Sequence, residues 1–194
     1  MRLFKQIFQT LCYIKGHSIT ILIKRLEVLK SDTKNLTLTP EIDQLLENFC
    51  AWQQKQSQVY QHWDHALLLT GLDLKSKKSS KIVGLAPVSG MCLNESSCTV
   101  SEGSHFESVF VIAHELGHSL GMKHDGRTDF NDCDPGAYLM SPTLGSGKNS
   151  WSSCSKKYLD EFLRSEQSKC LEMTDTNHLE INIGNYLKSR HLSY

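Results

Sequence analysis

The sequence lacks net charge: 21 lysines and arginines stand against 21 aspartates and glutamates over 194 residues. That balance gives no electrostatic case for binding nucleic acid or an anionic membrane. The one basic run, Lys75 to Lys81, is short and reads as a solvated loop. No apolar run is long enough to span a bilayer. A clear export signal is also missing, because Met1 to Ile14 is broken by Lys5, Gln6 and Gln9 and no small-residue cleavage site follows. There is no internal repeat, which excludes solenoids and propellers. None of the seven cysteines belongs to a Cys-x-x-Cys pair, so the usual knuckle of a structural metal site is absent.

What remains is an ordinary globular composition, 39% hydrophobic and 22% charged, at a length that suits one domain with one core. The cysteines Cys12, Cys50, Cys92, Cys98, Cys133, Cys154 and Cys170 are scattered, as in a disulfide framework made in an oxidising compartment. Two N-glycosylation sequons agree, at Asn35 and Asn94. Together they predict an extracellular, secreted protein.

Along the chain, Ser18 to Leu29 alternates as a strand, with Ile19, Ile21 and Ile23 in phase. The phase slips to Leu26 and Val28 across Lys24-Arg25, which predicts a bulge. Thr39-Pro40 opens a helix whose stripe is Ile42, Leu45, Leu46, Phe49 and Trp52. Ala66 to Thr70 reads as a buried strand, Lys81 to Val88 as another, and Val100 as part of an edge strand. Phe106 to Leu120 is a second helix, stopped by Gly121. Asp125 to Gly136 is irregular, and a last amphipathic helix covers Ser155 to Arg164 with Tyr158, Leu159, Phe162 and Leu163 inward. Three segments follow: a poorly defined start over 1–17, one domain over 18–172, and a linker or tail over 173–194.

The second helix carries His114-Glu115-Leu116-Gly117-His118. Two imidazoles four residues apart share one helix face, so both can bind one zinc ion. Glu115 projects to the open side and can take a proton from water as general base. Those residues alone also fit a surface helix with two histidines. The continuation weighs against that: Gly121 turns the chain back and His124 arrives as a third nitrogen ligand. Three neutral imidazoles leave one tetrahedral position open, which marks a catalytic rather than a structural site. A purely structural site needs a fourth protein ligand. His17, His62, His65, His105, His178 and His191 lie in no ligand spacing and read as surface or capping residues.

The string from His114 to Asp125 resembles the metzincin signature, and Asp125 after the third histidine resembles its adamalysin branch. Tyr138-Leu139-Met140-Ser141-Pro142 is similar to the Met-turn, which implies Met140 as a hydrophobic floor under the metal. Phe49-Cys50-Ala51-Trp52-Gln53, Trp63 to Thr70, Gly84 to Cys92 and Trp151-Ser152-Ser153-Cys154-Ser155 resemble the ADAMTS proteases, a likeness that covers roughly Ser18 to Leu171. The resemblance implies an α/β (α+β) metzincin fold: a twisted, mostly parallel sheet, an active-site helix, and a small C-terminal subdomain after the third histidine. It implies a secreted, monomeric zinc endopeptidase that cleaves extracellular-matrix proteins, with no nucleic-acid partner and no membrane span.

The same resemblance implies the disulfides Cys50–Cys98, Cys92–Cys170 and Cys133–Cys154, one of the fifteen pairings six cysteines allow. A further family disulfide in the loop after Asp73 is absent, both of its cysteines being replaced in Lys75 to Ser80, and Cys12 is left over. Calcium sites are implied near Asp64, and near Asp73, Leu74 and Glu102, with surface acids and caps as the plain alternative. Family catalytic domains begin with another strand and a longer helix before the equivalent of Ser18. Met1 to Gly16 is short for both, so the sequence predicts a domain incomplete at its start. The alternative function is accordingly a catalytically incompetent fragment or pseudoprotease that acts only as a binding module.

Overall fold

The structure is a computed structural model. It describes residues 17, 19, 21–29, 33–59, 63–77, 82–105, 107–143, 145 and 147–172. Helix α1 spans Ile42–Val59, strand β1 Ala66–Thr70, β2 Gly84–Leu85 and β3 Cys98–Glu102. Helix α2 spans Ser108–Ser119 and α3 Ser153–Leu163, with 3-10 turns at Arg127–Asp129 and Glu166–Glu172. The sheet order is β1-β3-β2. β1 and β3 are parallel, in the register Ala66↔Cys98 to Thr70↔Glu102, and β2 is antiparallel to β3 through Gly84↔Ser101 and Leu85↔Val100. The mixed α/β architecture is the metzincin type predicted from the sequence.

The apolar run Leu67-Leu68-Leu69 explains the layering. Successive strand side chains point to opposite faces. Leu68 joins Ile42, Leu45, Phe49 and Val100 in one core cluster, while Leu67 and Leu69 pack against Val109, Ile112, Ala113 and Leu139 in another. The sheet thus has α1 on one face and α2 on the other, and a strand buried on both faces reads as continuously apolar. Full burial of Ile42 or Leu45 is worth about 1.5–3 kcal/mol each. A third cluster, Met91, Leu120, Met122, Met140, Leu159 and Phe162, lies below the active-site helix and seats α3.

Several local expectations change. No strand is assigned within the described residues 21–29, where Arg25 makes a bridge in an extended run. Ile19, Ile21 and Leu29 reach the core clusters, but Leu22 and Val28 are exposed. Alternation reports which side faces inward, and says nothing of whether a partner strand is present. The strand expected over Lys81 to Val88 shrinks to Gly84–Leu85 because Pro87 and the turn at Val88-Ser89 end it. Val100 lies in the central strand of the three, so the edges of the described sheet are β1 and β2. Helix α1 begins at Ile42 rather than Pro40; Thr39 Oγ1 accepts from the Glu41 N–H at 3.3 Å and the Glu41 carbonyl from Leu45 N–H at 2.9 Å. Helix α3 starts earlier than expected, at Ser153, with Ser152 as N-cap accepting from Ser155 N–H. Phe106, Cys12 and the 173–194 tail lie outside the described residues.

Candidate active site

Helix α2 sets the site. It is stopped at Gly121, whose φ of +86° suits glycine, and Gly121 N–H closes onto the His118 carbonyl at 2.9 Å. Met122 N–H bonds the Gly117 carbonyl at 2.9 Å, and the chain reverses to bring His124 back beside the helix. Gly117 is needed for a different reason. A Cβ there would lie 2.8 Å from Met140 Sδ and 3.0 Å from the Trp151 ring, so the helix rests directly on these two side chains. Met140 is fully buried and its carbonyl accepts from Asp125 N–H at 2.8 Å.

The three histidines converge. His118 Nε2 lies 3.1 Å from the Nε2 atoms of both His114 and His124, which are 3.3 Å from each other. On the far side, His114 Nδ1 bonds the Leu139 carbonyl at 2.6 Å and His118 Nδ1 the Met122 carbonyl at 2.8 Å. His124 Nδ1 lies 3.6 Å from Asp129 Oδ2. A carbonyl can only accept, so His114 and His118 carry their proton on Nδ1 and point bare Nε2 lone pairs inward. Such lone pairs repel unless a cation stands between them. Ligands about 2.0–2.1 Å from a tetrahedral zinc are about 3.3–3.4 Å apart, close to the spacing found. Burial holds the His114 imidazole down to about 4, helped by the charges of His124 and Lys148 and opposed by the Leu139 bond. His118 is held down to about 3 by burial and by its two imidazole neighbours. Both are therefore neutral, as metal ligands must be, throughout the physiological range.

Glu115 is buried beside this group, and burial pushes its carboxyl up to about 8. Its space is made by Gly84 of β2: a Cβ on Gly84 would lie 2.8 Å from Glu115 Cγ and Oε1 and from Val111 Cγ1. No sequence signal had singled out Gly84.

The arm carrying His124 is fixed by Asp125 and Ser152, which the family resemblance named without a structural role, and by Asn131, which sequence reasoning passed over. Asp125 is fully buried, and its Oδ1 accepts from Ser152 Oγ at 2.6 Å while Ser152 caps α3, tying the third-ligand loop to the last helix. Burial raises the Asp125 carboxyl, against the Ser152 hydrogen bond. Asn131 is the hub of the loop: its Oδ1 accepts from the N–H groups of Gly126 and Cys133, and its Nδ2 donates to the His124 carbonyl at 2.8 Å. An Asn two residues before the helix's disulfide partner Cys133 has no signature that composition or spacing could reveal.

The structure contains the disulfides Cys50–Cys98, Cys92–Cys170 and Cys133–Cys154. The first joins α1 to the central strand; the third ties the His124 loop to α3. Among the described residues, the groups of three donor atoms within 4.8 Å of one another are the histidine triad and Asp125 with Cys133 and Cys154, whose sulfurs are already bonded to each other. Asp64, Asp73 and Glu102, the residues expected near calcium, enter neither group. Glu102 Oε1 instead accepts from the Leu74 N–H at 2.8 Å. Asn35 and Asn94 are both exposed, in turns. Of the other histidines, His17 bonds Asp160 at 2.5 Å and His105 is exposed. The His65 ring is half-buried and hydrogen-bonded: it bridges Ser97 Oγ at 3.3 Å and Thr99 Oγ1 at 3.2 Å, and burial lowers it to about 3. His62, His178 and His191 lie outside the described residues.

Three converging imidazoles, two of them one turn apart on a helix with a buried carboxyl between them, are the layout of a metalloprotease centre. The description "Reprolysin (M12B) family zinc metalloprotease" matches residues 5–174. The chain is 43% identical over 162 residues to "A disintegrin and metalloproteinase with thrombospondin motifs 16" of Mus musculus, which covers 80% of this chain and 13% of that protein. It is 41% identical over 162 residues to the motifs 18 protein of Homo sapiens, with the same coverage of 80% and 13%. It is 38% identical over 169 residues to the motifs 7 protein of Mus musculus, covering 81% of this chain and 10% of that one. The chain thus belongs to the Reprolysin (M12B) family, as an ADAMTS-type catalytic domain that spans a small part of the length of its curated relatives. Among the described residues no helix is long and apolar enough to cross a membrane.

Proposed function

We propose that this chain is a zinc-dependent endopeptidase of secreted or extracellular-matrix proteins, with His114, His118 and His124 as zinc ligands and Glu115 as general base. The observation that carries this is the inward convergence of three Nε2 atoms, with the Nδ1 atoms of His114 and His118 bonded to backbone carbonyls behind them. These residues fit zinc in donor type, spacing and tautomer. When bound, zinc makes water acidic near neutral pH and polarises the scissile carbonyl.

The protein's own groups do the rest. In the enclosed site the Glu115 carboxyl would hold a proton near neutral pH, since burial sets it at about 8. A neighbouring dication favours its charged form, which readies it to take the proton of the attacking water and pass it to the leaving amine. The substrate would lie extended along the outer side of β2, an edge strand of the described sheet whose Gly84 makes room for Glu115, in a β-augmentation mode. Backbone pairing at that edge would hold the peptide bond against the carboxylate. The six cysteines in disulfides and the exposed sequons support an oxidising, extracellular setting.

The test is cleavage of an unfolded protein by wild type and Glu115→Ala, with zinc content measured on both. Wild type is expected to cleave, and Glu115→Ala to keep its zinc and lose about 10²–10⁴-fold in rate. Cleavage retained in the variant would overturn the mechanism.

A further inference from the structure

Phe130 is the most exposed large hydrophobic side chain among the described residues, at 94%. It also adopts the left-handed conformation, φ +62° and ψ +36°, which L side chains with a Cβ disfavour. The residue therefore works against the fold in two independent ways. It gains nothing from burial, and a glycine would fit its backbone better.

Its position is not arbitrary. Phe130 stands between two residues that hold the third ligand: Asp129 Oδ2 faces His124 Nδ1 at 3.6 Å, and Asn131 Nδ2 donates to the His124 carbonyl at 2.8 Å. The loop is pinned on both sides. Asn131 Oδ1 takes the Gly126 and Cys133 N–H groups, Phe130 N–H closes onto the Arg127 carbonyl at 3.1 Å, and the Cys133–Cys154 disulfide follows. The aromatic ring is thus presented to solvent from a braced turn beside the metal-ligand group. A strained, solvent-facing aromatic on a rigid support is how a contact surface for a partner is built. The flanking Arg127 and Asp132 are almost wholly exposed and form a polar rim, as at the edge of a contact site.

We infer that Phe130 is a specificity-determining residue that receives an apolar side chain of the protein substrate close to the scissile bond. The inference rests on the endopeptidase reading and adds a substrate preference to it. An aromatic anchor at the centre of such a contact carries a disproportionate share of binding. A residue retained only for the turn would be replaceable by glycine without kinetic consequence.

The experiment compares the full chain as wild type, Phe130→Gly and Phe130→Leu, each zinc-loaded with its zinc content measured. The readouts are kcat/KM on a reduced, carboxymethylated protein, cleavage-site profiling on a randomised peptide library, and thermal unfolding. Phe130→Gly is expected to lower kcat/KM about 5- to 20-fold and to flatten an apolar preference at one subsite, while unfolding at the same or a higher temperature. Phe130→Leu is expected to keep most of the activity and the preference. Unchanged kcat/KM and an unchanged profile in Phe130→Gly, with wild type active, would overturn this inference alone. A loss that tracks a lower unfolding temperature would overturn it too. No cleavage by zinc-loaded wild type would remove the endopeptidase reading, and this inference with it.

Discussion

Gly84 makes room for the Glu115 side chain: a Cβ on Gly84 would stand 2.8 Å from both its Cγ and its Oε1. The edge strand proposed to receive substrate and the carboxylate proposed to activate water therefore share one boundary. That close fit explains why a glycine interrupts an otherwise apolar stretch at the sheet edge.

Gly84→Ala is accordingly expected to displace Glu115 while leaving the three ligands in place. A misplacement of about 1 Å costs on the order of 10²-fold in rate. Zinc content should remain at one per chain, and kcat should fall more than KM rises. Steady-state kinetics with parallel metal analysis decides this. Unchanged kcat would mean that Glu115 is not positioned by β2.

His65 gives a prediction about pH. Its half-buried ring is held down to about 3 in the fold by desolvation, against an ordinary 6.5 in the unfolded chain. Between those values the unfolded chain binds a proton that the fold excludes, so this contribution is complete above pH 6.5 and is lost as pH falls toward 3. The gap in urea stability between wild type and His65→Gln is expected to shrink from about pH 7 to about pH 4.5, because only wild type carries this acid sensitivity. The acid response of the triad is common to both proteins and cancels in the difference. A gap independent of pH would show that the ring accepts a proton in place.

The chemistry of the site was legible in the sequence because helical periodicity is encoded locally. His114, Glu115 and His118 need only one turn of helix to come together, and Gly121 announces the reversal that returns His124. The helix stripe Ile42, Leu45 and Phe49 was readable for the same reason, with Leu46 and Trp52 packing at its margin. What was not legible is long-range. That β3 is central rather than at the edge depends on how β1 and β2 choose partners. The run 21–29 shows inward side chains with no strand assigned among the described residues, since alternation is independent of pairing. Gly84, Asn131 and Ser152 act through contacts with residues 31, 7 and 27 positions away. Phe130 looked like any residue of an irregular loop until its exposure and backbone were seen together.

The central claim is that three imidazoles assemble one zinc ion, and native mass spectrometry of the oxidatively refolded chain with zinc tests it most directly. The wild type is expected to carry one zinc together with the three disulfides, and His114→Ala, His118→Ala and His124→Ala to lose the metal while keeping those bonds. A wild type without zinc, or full zinc occupancy in all three variants, would contradict the account.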